Sequence, residues 1–194
     1  MVPRVSSPAS EQPRRFAYVA HCLLNANAKV DEGARCAGVL SPLVDRLRSR
    51  GYVIRQLPCP ELAYGGVNRF WAVREQYDTP GYRAHCARLA RPVAAMMELD
   101  LAEGGEAILI GIDGSPSLGV RLTSTGPDWG GRPDKWRDED YGIVAGRGVF
   151  VEVLLEELAR RGIKGLRRLG LGQDLLDYDE AAELTRLEQF LAEV

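Results

Sequence analysis

The sequence predicts a three-layer α/β/α fold built on a mostly parallel sheet of about four to five strands. Short apolar runs alternate along the chain with longer segments whose apolar residues recur every three or four positions, and glycines or prolines separate the two kinds. Such alternation favours right-handed crossovers, which make the strands parallel and cover both faces of the sheet with helices. The expected architecture is therefore Rossmann- or flavodoxin-like.

Four segments have the composition of buried strands: residues 16–24, 52–58, 106–112 and 166–172. The first is rich in aromatic and β-branched residues, and we expect it to end near Cys22. The second must end sharply, because the prolines on either side of Cys59 cannot donate a hydrogen bond to a neighbouring strand. Residues 106–112 form a compact apolar run, which is typical of a strand covered on both faces.

Helix starts are predicted at Ser41 and at Thr79, because each hydroxyl residue is followed by a proline, which suits a first helical turn. A third helix is predicted over residues 150–161, where glutamates precede arginines by four positions. Asp179 is expected to cap a final helix with an apolar stripe of leucines.

The predicted domain organisation is a disordered tail over residues 1–15 followed by a single α/β domain over residues 16–194. Residues 123–148 are rich in glycine, tryptophan and charge and are longer than an ordinary connection. We interpret this segment as a lid, in which Trp129 and Trp136 either bury themselves or stack on a heterocycle.

Composition argues against several classes of partner. The chain has 25 Lys and Arg against 27 Asp and Glu, so no overall positive field would hold a nucleic acid. No apolar run has the length of a signal-peptide core or a membrane span. Four cysteines without an export signal indicate a reducing compartment. The prediction is a cytoplasmic protein that acts on a small molecule, in an oligomeric state that the sequence does not determine.

Polar and thiol groups follow three of the predicted strands, and in parallel sheets ligands bind at that edge. They are His21, Cys22 and Asn25 after the first strand, Cys59 and Glu61 after the second, and Asp113, Ser115 and Ser117 after the third. We expect these groups to meet at one edge of the sheet.

Each candidate has a chemical role and a structural alternative. Burial would raise the pKa of Glu61 and make it a general acid or base. Ser115 and Ser117 can hold a substrate oxygen or cap a turn. Asn25 and Asp113 are candidate substrate-binding residues, and Arg147, just before a predicted helix, can receive an anion.

The other chemically interesting side chains have less specific interpretations. Cys86 lies on an apolar helical stripe and is expected to pack in the core. Cys36 has no assignable role. His21 can orient a thiolate, although strand alternation would point it away from the face that takes Cys22.

Five ordered motifs carry a resemblance to a known family. HCLLNANAKV contains Cys22, LPCPEL contains Cys59, EQYDTPGYRAHC contains Cys86, GIDGSPSLGV contains Ser115, and GRGVF follows. Together they cover about residues 16–172 and resemble the thiouracil desulfidase-like family. The resemblance implies a 4Fe-4S cluster held by three cysteines, Cys22 and Cys59 among them, with one open iron that captures sulfur from a small thiolated substrate. It also implies a catalytic role for Glu61.

The chain departs from that family at the third cysteine, where it carries Leu118, and leucine cannot ligate iron. Cys36, His21 or Glu61 would have to supply the missing ligand. Two alternatives to a cluster enzyme stay open: a cluster-free enzyme that uses Cys59, Glu61 and the serines, and a protein that binds its ligand without turning it over.

Overall fold

The computed structural model describes residues 13–30, 33–132 and 137–193 of the chain. The strands are β1 (Arg15–Val19), β2 (Tyr52–Gln56), β3 (Glu106–Ile112), β4 (Leu122–Thr125), β5 (Gly142–Ala145) and β6 (Arg167–Leu171). The α-helices are α1 (His21–Leu24), α2 (Ser41–Ser49), α3 (Pro60–Gly65), α4 (Arg74–Tyr77), α5 (Pro80–Ala102), α6 (Val149–Arg160) and α7 (Glu180–Ala192). Short 3-10 turns occupy Ala26–Ala28 and Asp138–Asp140.

The main sheet has the order β2-β1-β3-β6 and all its pairings are parallel. Helices α5 and α6 pack against each other, whereas α2 packs against β2 and α7. The result is the predicted three-layer α/β/α fold with a mostly parallel sheet. Because all four strands run in one direction, the chain leaves β1, β2, β3 and β6 at the same edge of the sheet, which is where ligand sites of this architecture form.

The predicted helix starts agree closely with the structure, but one predicted cap is wrong: α2 begins at Ser41, yet Leu40 is its N-cap residue and no side chain caps this helix. Thr79 Oγ1 accepts a hydrogen bond from the amide of Tyr82 and starts α5. Asp179 accepts from the amides of Ala181 and Ala182 and starts α7. The helix predicted over 150–161 is α6. These ends were predictable because capping is a local interaction within four residues.

The first strand is shorter than predicted. It ends at Val19, and residues of the predicted strand from His21 to Leu24 form α1 instead. The turn begins where the amide of Leu23 bonds to the Ala20 carbonyl, while the Ala20 amide still bonds to Ile110 of β3. Cys22 therefore lies on a helical turn just past the strand, so the strand-alternation argument for His21 does not apply.

Residues 123–148, which we interpreted as a lid, contain regular secondary structure. β4 and β5 pair antiparallel within this segment and form a hairpin beside the main sheet. Trp136 lies outside the described residues. Trp129 donates its indole N–H to the Trp71 carbonyl at 3.3 Å, and its ring lies 5.7 Å from that of Tyr141.

The start of the domain also differs from the prediction. Arg15, assigned to the tail, is the first residue of β1, and the Arg14 carbonyl accepts a hydrogen bond from Glu106. The remainder of the predicted tail, residues 1–12, lies outside the described residues. Within the described ranges, the helices are all too short or too polar to cross a lipid bilayer.

Candidate active site

The thiols of Cys22 and Cys59 meet at the carboxyl edge of the sheet, as the sequence predicted. Cys22 follows β1 and Cys59 follows β2, and these strands are neighbours in the sheet. Their Sγ atoms lie 3.9 Å apart, both residues are buried, and neither forms a disulfide. The geometry is that of a thiol donating a hydrogen bond to a second sulfur.

Cys59 is the better of the two thiolates. It stands at the N-cap of α3, where its Sγ accepts a hydrogen bond from the amide of Leu62 at 3.4 Å. The hydrogen bond from Cys22 is the largest influence and lowers the pKa of Cys59, against the opposing effects of burial and of the Glu61 charge; the Leu62 amide and the Arg69 guanidinium add smaller lowering effects. The same contact, burial, and the charges of Glu61 and Asp174 raise the pKa of Cys22. When the pair loses a proton, the remaining one is therefore expected on Cys22 and the negative charge on Cys59.

Glu61 lies on the first turn of α3, two residues after Cys59. Burial is the largest influence and raises the pKa of its carboxyl, while Arg69 opposes that rise. The Arg69 Nε lies 3.5 Å from Glu61 Oε2, and only 6% of the Arg69 side chain is exposed. Ser115 Oγ approaches Glu61 Oε1 at 3.4 Å, and Ser117 also hydrogen-bonds to this carboxylate, but these contacts do not offset its burial. A desolvated carboxyl with a raised pKa is suited to exchange a proton.

A cavity of about 110 Å³ opens beside these groups. Its lining combines ionised and aromatic side chains with apolar ones: Cys22, Lys29, Val30, Gly33, Arg35, Glu61, Arg69, Trp71, Ala72, Ile112, Gly114, Ser115, Pro116, Leu118, Tyr141, Gln173, Asp174 and Leu176. Lys29 is almost fully buried and pairs with Asp174 at 2.6 Å. The Gln173 side-chain amide is also buried, and its Nε2 makes no hydrogen bond within the described residues. Such a cavity can hold a small, planar, polar molecule.

The turn from Ser115 to Gly119 forms one wall of the cavity. Ser115 Oγ accepts hydrogen bonds from the amides of Ser117 at 3.3 Å and Leu118 at 3.0 Å, so it acts as the turn's cap. The turn lies so close to β3 that a Cβ on Gly111 would come within 2.4 Å of the Leu118 carbonyl oxygen. Leu118 itself is buried and faces the same cavity as Cys22.

The residues present do not fit a cluster held by three cysteines. Across residues 13–30, 33–132 and 137–193, the structure brings together no three His, Cys, Asp or Glu side chains that could hold a metal ion. Leu118 places a hydrocarbon where the resembled family has a thiolate. Cys36 and His21 do not line the cavity, and Glu61, which does, faces Arg69. None of the three substitute ligands that the sequence suggested is thus arranged for that purpose.

His21 makes a contact of its own away from the cavity. Its Nδ1 lies 2.9 Å from Gln56 Nε2, and burial lowers the pKa of the imidazole. Cys86 packs in the core as predicted, and burial raises its pKa to about 12. Cys86 is therefore a protonated packing residue at neutral pH.

The other predicted binding residues divide into those near the cavity and those apart from it. Ser117 is fully buried behind the cavity wall, where its hydroxyl lies 2.8 Å from the Tyr82 hydroxyl and also bonds to Glu61. Asn25, Asp113 and Arg147 do not line the cavity. Asp113 is instead enclosed by backbone amides, and Arg147 faces a separate cleft.

Sequence reasoning missed the charged lining of the cavity. The sequence offered a signal for Lys29, because this residue lies seven positions after Cys22 in the HCLLNANAKV motif. It offered no signal for Arg69 and Asp174, since these residues lie far along the chain from the groups that they contact. Trp71 and Tyr141 stack edge to face at 5.8 Å and bring the segment around Trp71 and the hairpin together at the cavity.

Comparisons with known proteins identify one informative relative. No protein-family profile and no solved structure matches the chain. Over 107 residues it is 36% identical to the uncharacterized protein MJ0003 of Methanocaldococcus jannaschii, a match that spans 55% of this chain and 69% of the archaeal protein. With that identity over more than two thirds of the relative, the chain belongs to the same protein family as MJ0003.

Proposed function

We propose that this chain is a desulfidase-like enzyme that replaces the sulfur of a small thiocarbonyl compound by oxygen, without an iron-sulfur cluster. The observation that carries the proposal is the Cys22–Cys59 pair, 3.9 Å apart, beside the buried Glu61 at the edge of a small cavity. A thiol next to a thiolate supplies a nucleophile, and a desolvated carboxyl supplies and removes protons. The overall reaction is thiocarbonyl plus water giving carbonyl plus hydrogen sulfide.

The chemistry balances without a redox partner. Cys22, which faces the cavity, adds to the thiocarbonyl carbon and passes its proton to Cys59. The substrate sulfur takes that proton from Cys59 and a second proton from the adjacent ring N–H, and it leaves as hydrogen sulfide, so that a thioimidate bonded to Cys22 remains. Water, deprotonated by Glu61, then adds to that carbon, and Glu61 returns the proton to the ring nitrogen. Cys22 departs as a thiol with the remaining hydroxyl proton as the carbonyl forms. The net change is loss of one hydrogen sulfide and gain of one water oxygen.

The lining supports a planar, polar substrate. Trp71 and Tyr141 offer aromatic surface, and the Gln173 amide has an unused donor. Thiopyrimidines carry both a flat ring and ring nitrogens or oxygens that can accept such a donor. The resemblance to thiouracil desulfidases points to the same substrate class. With four free cysteines, the proposal places the enzyme in the cytoplasm, where thiols stay reduced.

Sulfide release from thiouracil, measured under reducing and anaerobic conditions, tests the activity. We expect turnover in the natural chain, near-complete loss in Cys22→Ser, and no change in the control Cys36→Ser, since Cys36 does not line the cavity. Mass spectrometry of Glu61→Gln with substrate should show an adduct on Cys22 equal to the substrate minus hydrogen sulfide. Full activity in Cys22→Ser would overturn the proposed nucleophile.

The cluster question has a direct test, because a 4Fe-4S group would supply an open iron that binds the substrate sulfur. Iron and acid-labile sulfide are measured after anaerobic reconstitution of the natural chain and of Leu118→Cys. We expect neither component in the natural chain and both in Leu118→Cys, whose new thiol would face the same cavity as Cys22. A cluster in the natural chain would contradict the cluster-free mechanism.

A binding protein without turnover is the second candidate, favoured by the small size of the cavity and its unused Gln173 donor. In that case thiouracil should raise the melting temperature without sulfide release. Glu61→Gln would then reduce the rise in melting temperature caused by the ligand, and neither the variant nor the natural chain would release sulfide.

A further inference from the structure

A second cleft, distinct from the cavity, lies on the other side of the loop between β3 and β4. Its lining residues are Val120, Arg121, Gly146, Arg147, Glu152 and Arg168, and its volume is about 490 Å³. None of them lines the cavity that contains Cys22. Three guanidinium groups and one carboxylate therefore face one cleft.

Most of the charges around this cleft are already neutralised. Arg121 pairs with Asp113 at 3.0 Å. Glu152 accepts from Arg74 and Arg83, and the same two arginines also pair with Asp78, so two positive and two negative charges cancel. These pairs contribute no net charge to the cleft.

Arg147 and Arg168 are the exception. Both line the same cleft, and within the described residues neither guanidinium has an ion-pair partner. Burial, followed by the charge of Arg147, lowers the pKa of the half-buried Arg168. Glu156, one turn further along α6 from Glu152, is exposed and shares a neighbouring groove with Arg147, but among the described residues it makes no ion pair with either arginine. Two positive charges therefore line the cleft without an ion-pair partner in the described part of the chain.

The cleft is also held in place by the fold. The Arg147 carbonyl accepts a hydrogen bond from Arg74 Nε at 3.0 Å, and Arg168 lies on β6. The Arg121 carbonyl accepts from the Gly146 amide at 2.9 Å, which ties both walls together. The first amides of α6 donate to the carbonyls of Pro116 and Ser117. The donors that are free to bind a ligand in the cleft are therefore those of the arginine side chains, not the amides of the helix end.

From this arrangement we infer that Arg147 and Arg168 form a binding site for a doubly charged tetrahedral oxyanion, a phosphate or the phosphate group of a small monoester. A dianion matches the two unpaired charges, and its oxygens can accept paired N–H donors from each guanidinium. Arg121, anchored to Asp113, supplies a third donor group at the rim. The site is independent of the proposed desulfidase activity.

Calorimetric titration of the full-length protein with inorganic phosphate, and separately with glycerol phosphate, tests the inference at constant ionic strength. We expect Arg147→Gln and Arg168→Gln each to weaken binding by about tenfold or more, because each removes charge-assisted hydrogen bonds. Arg48→Gln, which removes an exposed arginine on α2, should bind like the natural chain. Tighter binding of glycerol phosphate would identify the monoester as the ligand, and equal or weaker binding would identify the free anion.

A second measurement separates binding from a structural role. Without phosphate, Arg147→Gln should unfold at the same temperature as the natural chain or higher, because one of two repelling charges is gone. With phosphate, only the natural chain and Arg48→Gln should gain stability. The inference is overturned if chloride at equal ionic strength gives the same gain, or if Arg147→Gln binds phosphate unchanged.

Discussion

Two buried carboxylates at the same edge of the sheet have opposite environments. Asp113, fully buried after β3, accepts hydrogen bonds through Oδ1 from the amides of Val120, Arg121 and Leu122, and pairs with the Arg121 guanidinium. Glu61 has long contacts to Arg69 and Ser115 and a hydrogen bond from Ser117, yet burial is the largest influence on its carboxyl and raises the pKa. The Asp113 carboxylate therefore holds the loop between β3 and β4 in place, whereas the Glu61 carboxyl can still bind and release a proton.

The difference shows why burial alone does not identify a reactive group. A carboxylate with several short donors is stabilised in its charged form and builds structure. A carboxylate with few donors is destabilised in that form and can exchange a proton. Four substitutions test this comparison.

The largest effect is expected for Asp113→Asn. The amide keeps one oxygen but places an N–H₂ group where an acceptor was needed, and it leaves the Arg121 charge without its partner. We expect a loss of about 3–5 kcal/mol in the free energy of unfolding, measured by denaturant titration. Asp45→Asn, at an exposed position of α2, should be close to neutral. A loss under about 1 kcal/mol would mean that Asp113 does not organise the loop.

Glu61→Gln should reduce sulfide release by about 10²- to 10⁴-fold while the protein stays folded. Because the pKa of Glu61 is raised, its ionised form is costly in the folded chain and the rate should rise with pH above the ordinary value of 4.5. The same shift predicts that the natural chain loses stability relative to Glu61→Gln as the pH rises from 4.5 through the raised pKa.

The opposite pH trend would contradict the assignment of Glu61. If the stability of Glu61→Gln rose relative to that of the natural chain as the pH fell, the Glu61 carboxylate would be stabilised in its charged form. The exposed Glu106→Gln serves as the control and should change neither the rate nor the pH trend.

Ser115→Ala should cost about 1–3 kcal/mol, because the buried amides of Ser117 and Leu118 lose their acceptor. The buried Ser124, whose Oγ has no hydrogen-bond partner among the described residues, is a matched control. Ser124→Ala should be neutral or slightly stabilising in thermal unfolding. Equal costs for the two serines would show that the Ser115 cap contributes nothing.

The smallest effect on the fold is expected for Cys22→Ala, in which the titration of Cys59 tests the thiol pair. Removing the hydrogen bond from Cys22 takes away the largest influence that lowers the pKa of Cys59. The midpoint of Cys59 thiolate formation, followed by ultraviolet absorbance, should therefore move to higher pH. Cys86→Ala should leave that midpoint in place. An unchanged midpoint in Cys22→Ala would show that the two sulfurs do not share a proton.

Much of the fold was accessible from local sequence patterns. β3 and the caps of α5 and α7 were predicted closely, because a buried apolar run and a capping residue both act within a few positions. The first strand was predicted too long because residues 21–24 are on average as apolar as a strand. It ends only because the Ala20 carbonyl accepts a hydrogen bond from the Leu23 amide and starts a helical turn. The hairpin of β4 and β5 was missed because long-range pairing, not composition, makes it.

The candidate site divides in the same way. The sequence by itself determined which groups follow β1, β2 and β3, because the direction of a parallel sheet brings strand ends together, and so the meeting of Cys22 with Cys59 was predictable. It also determined that residue 118 is a leucine, where the resembled family carries a cysteine. Only the tertiary structure decided that Glu61 is the carboxylate that can exchange a proton and that Asp113 is the one occupied by hydrogen bonds from the loop. The reason is that donors such as Arg69, distant in sequence or reached through a folded loop, set the cost of a buried charge.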